Sequence, residues 1–462
     1  MINKYFAIGI GAITILKIIF IFLTSYSLFG DEAQYWLWSK NFDFGYFSKP
    51  PFIAWIIACY SWFFGESFES LKLLPVTIYF ITSLVVFHLC LRLGFERRLS
   101  IICSLSFLIM PAVSVSSFFI STDVFLLLFW TLSMVGLLNI KKNPSIINFV
   151  LCGIMVGLAF LAKYAAIYFF VSLSCLCLFD KGFRNLFISN FLKLFLLIFV
   201  VLIVIFPNLI WNINNDWLTL QHTSENASLG NANINFFRGL NFLVIQVLMV
   251  GIILFFGALY NFKKIKLDEE NVFLLCFSLP IILIVFFESV LVRANANWAA
   301  VGLISLFLFF IRSLFRGLNL FLITNFVVNF VFAIIFYFLV AGSYNHKAFN
   351  RINGVGDFSQ EIKSYLGQTS NIVISDRLLY SSLAYELKAE KVNFYMPYNS
   401  SRKITNHFQI TSPLKRGALN NFVLIGDLSD IEYLGPTKNI RLIKEAGVKF
   451  TKMPIKIYEV SF

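Results

Sequence analysis

Charge is scarce in this chain. Only 13% of its 462 residues are Asp, Glu, Lys or Arg, 59% are apolar, and the mean hydropathy is +0.80. No soluble fold of this length buries so much apolar surface, which excludes the ordinary soluble enzyme classes and leaves a polytopic membrane protein. Acids are the scarcer sign, 24 against 37 Lys and Arg, for a net charge of +13. The basic residues are scattered through short loops rather than clustered. No nucleic-acid partner is expected, and the excess reads as membrane topology.

Paired cysteines are missing as well. All seven Cys lie in apolar segments, none in the polar C-terminal part, and no CxxC occurs. This excludes a zinc or disulfide framework and leaves small apolar packers. The N-terminus has no small-x-small cleavage site, and its apolar run from Tyr5 to about Leu28 is too long for a signal peptide core, so it reads as a first span. Internal repeats are absent too, which argues against the transporter folds built from them.

What is abundant is apolar sequence in spanning lengths. Runs of about 17 to 23 residues begin near Phe6, Leu71, Leu99, Thr122, Ile147, Ala165, Phe191, Leu240, Val272, Trp298 and Leu318, predicting about 11 transmembrane helices. Five short basic loops, at 92–98, 141–142, 181–184, 263–266 and 312–316, alternate with non-basic ones. The positive-inside rule puts these five in the cytoplasm and the others outside. The organisation expected is a membrane part over 1–344, with a first outer loop at 29–70, and an outer α/β domain over 345–462. Strand-like runs in that tail begin at 371, 392, 421 and 455.

Most acids at span ends fall on the outer side. Asp123 opens the apolar run "STDVFLLLFW", where an ionisable group is costly and tends to be functional. The first outer loop, "DEAQYWLWSKNFDFGYFSKPPF", carries Asp31, Glu32, Asp43, Lys40 and Lys49. Asp31 suits a helix N-cap, and Lys49 suits a snorkelling interfacial lysine. The segment after Pro50–Pro51 is too short to span and reads as an interfacial helix. Acids beside the cations Lys49, Lys163 and Arg293 fit a reaction on an anionic lipid: cations hold phosphate and a carboxylate takes a proton from a hydroxyl.

The blocks "GDEAQYWLWS", "FDFGYFSKPPFIAWI", "STDVFLLLFW", "GLAFLAKYAAIYF", "PNLIWNINNDWLTLQH" and "RANANWAA" resemble, in order and spacing, the bacterial family 39 glycosyltransferases. Those are similar to the protein O-mannosyltransferases and the lipid A aminoarabinose transferases. The resemblance implies a polytopic α-helical membrane protein of the GT-C type. It would move a sugar from a polyprenyl-phosphate donor to lipid A, another surface glycan or a protein, at the outer face of the bacterial inner membrane. It implies catalytic roles for Asp31, its motif partner Glu32, and Asp123. Lys49, Lys163, Tyr164, Arg293 and Asn297 would bind substrate. His222 stands where the aminoarabinose transferases have a metal-binding His, so a divalent metal is the one cofactor in question. Two departures argue against it: Ser48 replaces a Glu before Lys-Pro-Pro, and Gln34 replaces an Arg one turn after the acid. A lipid-linked sugar flippase is the rival from another class.

Overall fold

In lipid no water satisfies backbone amides, so apolar runs must close their hydrogen bonds internally as helices. In this computed structural model, which describes residues 4–227, 234–315, 320–342, 347–366, 370–450 and 454–462, all eleven apolar runs are helical. By length and composition seven are able to cross a membrane: Lys4–Leu23, Phe68–Arg92, Thr122–Lys142, Phe191–Asn214, Glu269–Leu291, Ala296–Leu314 and Leu320–Ala341. Two further pairs, bent by 107° and 98°, bring the number to nine if each is one span.

About eleven were expected; the difference from the seven to nine that meet this length lies at identifiable breaks. Pro111 splits the run begun near Leu99 into Arg97–Ile109 and Pro111–Ser116, because proline offers no N–H to the preceding turn. Gly251, at φ +130°, divides Phe236–Val250 from Ile252–Tyr260. A Cβ there would lie 2.5 Å from Asn325 Oδ1, so glycine is required by backbone and space together. The run begun near Ile147 is a 17-residue helix, Ile146–Ala162, one of the shorter apolar helices with Phe52–Phe64. Large side chains on Phe191–Asn214, such as Phe195 (65% exposed) and Phe206 (58%), face away from protein. That surface is what a lipid-facing helix presents.

The chain forms two compact units. One comprises Met1–Phe22, Lys49–Ile53 and Lys72–Phe338; the other comprises Leu23–Ser48, Ala54–Leu71 and Leu339–Phe462. The expected boundary at 344/345 lies outside the described residues. Within the first unit, Lys141 pairs with Asp180 and Glu269, while Arg312 pairs with Asp268 and Glu270. Arg312 holds the Asp268 carboxyl below its usual range in spite of its partial burial. These ion pairs gather at the Lys141 end of Thr122–Lys142. Asp123 sits at the opposite end of that helix, about 27 Å away at 1.5 Å per residue.

The second unit is built on a six-stranded sheet of β1 (Asn371–Ile374), β2 (Asn393–Pro397), β3 (Pro413–Leu414), β4 (Asn421–Ile425), β5 (Asn439–Ala446) and β6 (Ile455–Ser461). Its order is β3-β2-β1-β4-β6-β5, with β1 to β4 parallel and β5 and β6 antiparallel additions. All four expected strands are present. Helix Arg377–Glu386 follows β1 and covers a core of Ile372, Ile374, Leu379, Leu383, Val423 and Ile457. Helix Gly30–Lys40, from the first outer loop, packs on it; a Cβ on Gly30 would meet Leu378 Cβ at 2.8 Å. Glu66 ties the same loop down, accepting from Trp36 Nε1 at 3.2 Å and Lys40, while Tyr385 and Lys388 donate to its carbonyl.

Trp38 stacks on Tyr46 at 4.7 Å, and His407 meets both rings edge-on. The His407 imidazole is 5% exposed, and its Nδ1 finds no partner among the described residues. Burial pushes it down to about 4. The unfolded chain binds this proton near pH 6.5 and the folded one only near 4, so the stabilisation is complete above 6.5 and lost as pH falls toward 4. The full loss is about 3 kcal/mol. The melting temperature followed by tryptophan fluorescence is expected to fall between pH 7 and 5, with a much shallower fall in His407→Phe. Identical slopes would remove His407 as the cause.

Candidate active site

Asp31 is carried on the first turn of Gly30–Lys40. The expected N-cap role is corrected: the cap position is Phe29, Asp31 is the second helical residue, and Glu32 the third. Glu32 turns back, its Oε2 accepting the Phe29 N–H at 2.8 Å, and is 1% exposed. It thereby closes a donor that the helix start leaves open. Asp31 instead keeps a side chain 38% exposed, on a turn whose dipole favours negative charge. The Arg377 guanidinium donates to Asp31 Oδ1 at 3.4 Å and to Gln34 Oε1 at 2.5 Å. Residues 31 and 34 share a helix face, so one arginine spans both. At Gln34, one turn after Asp31, a guanidinium thus arrives from the tail.

Three of the expected residues meet in the membrane unit. Asp123 Oδ1 accepts from Lys163 Nζ at 2.6 Å and Oδ2 accepts from Asn297 Nδ2 at 2.7 Å. Asp123 is 7% exposed, so its charge is compensated by direct contact rather than by water. Lys163 occupies the break between Ile146–Ala162 and the 3-10 turn Tyr164–Ile167. Asn297 lies in the 3-10 turn Ala296–Ala299. Tyr164, the next residue, binds elsewhere: its hydroxyl donates to Asn208 Oδ1 at 2.8 Å and accepts from Asn212 Nδ2 at 3.1 Å. It thus anchors the break to helix Phe191–Asn214.

Two buried lysines that the sequence reading did not single out hold the segment leading to Asp123. Lys17 Nζ donates to Ser117 Oγ at 2.9 Å, and Lys72 Nζ to the Phe118 carbonyl at 3.0 Å while lying over that ring. They are 2% and 0% exposed. The signal was available for Lys17, an ionisable residue in the middle of an apolar run. Arg377 had no comparable signal, because its partners precede it by more than 340 residues.

The remaining expected residues are not brought into these clusters by the described contacts. Lys49 is half-buried in the membrane unit, and Arg293 is exposed with no ion pair among the described residues. His222 is half-buried on Leu218–Ala227. It follows Asp216 and Trp217, two non-glycine residues held at positive φ, a strained turn of the kind that clusters at functional sites. Among the described residues no three His, Cys, Asp or Glu converge as a metal would need. Among the described residues the donor set around His222 does not fit a metal.

Comparison with known proteins follows the same lines. Residues 48–211 match the family model described as dolichyl-phosphate-mannose-protein mannosyltransferase. The chain is 29% identical over 394 residues to lipid A galacturonosyltransferase RgtD of Rhizobium johnstonii, covering 83% of this chain and 82% of that protein. Its fold matches the crystal structure of ArnT from Cupriavidus metallidurans bound to undecaprenyl phosphate. The TM-score is 0.70 at 13% identity, over 99% of this chain and 98% of that one. The Archaeoglobus fulgidus oligosaccharyltransferase also matches, with a TM-score of 0.52 at 12% identity, over 90% of this chain and 68% of that one. The chain is therefore a multi-pass membrane glycosyltransferase of the GT-C type, similar along most of its length to a lipid A galacturonosyltransferase and over residues 48–211 to the mannosyltransferase family model.

Proposed function

We propose that the chain transfers a sugar from a polyprenyl phosphate to lipid A or a related surface glycan, at the periplasmic face of the bacterial inner membrane. The observation that carries the reading is the match to RgtD over 83% of the chain. The fold shared with an ArnT structure that holds undecaprenyl phosphate supports the donor class. The orientation rests on charge: the basic ion-pair end of Thr122–Lys142 is taken as cytoplasmic, leaving the Asp123 end outside.

The chemistry is a displacement at the anomeric carbon with inversion. An acceptor oxygen forms the new bond to C1, the bond from C1 to the phosphate oxygen breaks, and its electron pair leaves with the polyprenyl phosphate. Asp31 takes the proton when the acceptor is a hydroxyl; toward an acceptor phosphate, already anionic, it orients rather than deprotonates. Arg377 holds the carboxylate in place, and Glu32 fixes the helix turn that presents it. Lys49 and Arg293 are assigned to the leaving phosphate, whose growing charge is the term that preorganised cations stabilise. The Lys163 charge is committed to Asp123, so Asp123, Lys163 and Asn297 act as a positioning set. Tyr164 supports them.

The test is transfer by the purified chain in nanodiscs, supplied with a synthetic polyprenyl-phosphate sugar and lipid A. Mass spectrometry is expected to find lipid A heavier by one glycosyl group. Transfer to an added serine- and threonine-rich peptide but not to lipid A would reassign the acceptor as protein. Movement of the donor across the bilayer with no new bond would replace the enzyme reading with a flippase.

A further inference from the structure

The sheet of the C-terminal unit has a topological switch point. After β1 the chain goes to β2 and β3 on one side and then returns to place β4 on the other side of β1. In parallel sheets, ligands bind outside the carboxyl ends of the strands at such a point, because the outgoing loops diverge there and leave a crevice. A cleft of about 650 Å³ lies at this place, lined by residues that follow β1, β2 and β4. Its volume is in the range of small-ligand sites. None of the roles assigned above uses it.

Polar groups line the cleft on two sides. The wall after β2 offers Asn399, Arg402 and Asn406, and the wall after β4 offers Asp430 and Glu432. Asn399 and Asn406 spend their carboxamide oxygens on neighbouring donors, Ser401 for the first and the Phe408 and Gln409 amides for the second. This leaves their NH₂ groups as donors. Arg402 is exposed and has no ion pair among the described residues. At the floor, the Ser375 hydroxyl is buried with no partner among the described residues. Gly426, at φ +153°, lets the end of β4 close against it; a Cβ there would stand 2.1 Å from Ser375 Oγ. An unpartnered hydroxyl, free amide donors, carboxylate acceptors and an unpaired guanidinium suit a polyol with an anionic substituent. A bare phosphate would face the carboxylates of Asp430 and Glu432 as well as the cations.

We propose that this cleft binds a saccharide bearing an acidic group, the glycan portion of the acceptor. The acceptor assignment rests on the transfer reading above; the saccharide assignment does not. Ser375 in the cleft and Arg377 at Asp31 belong to one turn after β1, two positions apart. A glycan seated in the cleft is thereby linked through the chain to the group that holds the proposed base.

The experiment uses the full-length protein in nanodiscs without donor, titrated calorimetrically with trigalacturonic acid, maltotriose and inorganic phosphate. Saturable binding of the acidic trisaccharide is expected, with maltotriose and phosphate each about tenfold weaker or worse, the size of one lost charge-assisted hydrogen bond. Arg402→Ala should weaken the acidic trisaccharide by a similar factor. Glu432→Gln should weaken both trisaccharides, with unchanged melting temperatures showing that the two surface variants fold. No saturable binding, binding insensitive to both variants, or phosphate binding as tightly as trisaccharide would each overturn the saccharide site. In turnover, Arg402→Ala should raise KM for a glycan-extended acceptor while leaving transfer to bare lipid A unchanged; an unchanged KM would overturn the acceptor role. Saccharide binding without any transfer would refute the transferase reading and leave the cleft standing.

Discussion

Asp31→Asn is expected to lower kcat for transfer to a hydroxyl acceptor by about a thousandfold, the middle of the range for a lost general base. The substitution keeps size and shape, and the amide oxygen still accepts from Arg377, so the fold should be nearly untouched. Asp31 is 38% exposed and Arg377 41%, and an ion pair this wet contributes at most about 1 kcal/mol. Melting temperature and the KM for donor should therefore stay close to wild type while kcat falls. Arg377→Ala is the informative companion, because it leaves the carboxylate present but unheld; a loss of about ten- to a hundredfold is expected for misplaced chemistry. Wild-type turnover by Asp31→Asn, with acceptors of both kinds, would remove Asp31 from the mechanism.

Lys163→Ala is expected to damage both stability and turnover. It leaves Asp123, 7% exposed, with the Asn297 amide as its partner among the described contacts. Breaking one side of a buried pair costs about 3–5 kcal/mol, because the surviving charge is left uncompensated. A fall in melting temperature of roughly 3–5 °C is expected for a chain of this size. Replacing both partners, as Lys163→Met with Asp123→Leu, should recover much of that stability by removing the stranded charge, yet leave turnover low. The two outcomes separate a positioning set from a structural pair. If Lys163→Met and Asp123→Leu made singly sum to the double variant within about 0.5 kcal/mol, the residues are not coupled. If the double variant turns over at the wild-type rate, the set has no part in the reaction.

The sequence reading succeeded where one physical rule dominates. Apolar runs marked every membrane helix, because helix is the backbone's only open solution in lipid. Helix continuity was not legible where single residues, Pro111 and Gly251, interrupt a run that stays apolar throughout. Strands with two buried neighbours were legible, whereas β3, two residues long, and β5, polar and mostly exposed, gave no alternating pattern. The Asp123 block, the Lys163 break and the Asn297 turn were each visible as local oddities, and the fold brought all three together. Arg377 was not visible, since its meaning depends on a helix far earlier in the chain. The cleft was unreadable for the same reason: its lining comes from three loops that only the sheet order assembles.

The grouping of Leu23–Ser48 and Ala54–Leu71 with the C-terminal sheet sets the order of biogenesis. The loop carrying Asp31 leaves the ribosome early, but Arg377 follows 346 residues later. At about 5–20 residues per second, the loop waits roughly 20–70 seconds for the surface that packs it. Until then Trp36 lacks Tyr385, Trp38 lacks His407, and the proposed base lacks Arg377. The proposed base thus lacks its Arg377 partner until the last part of the chain is made. Truncating the tail would strip the cover from the N-terminal loop, so such a deletion tests assembly as much as binding.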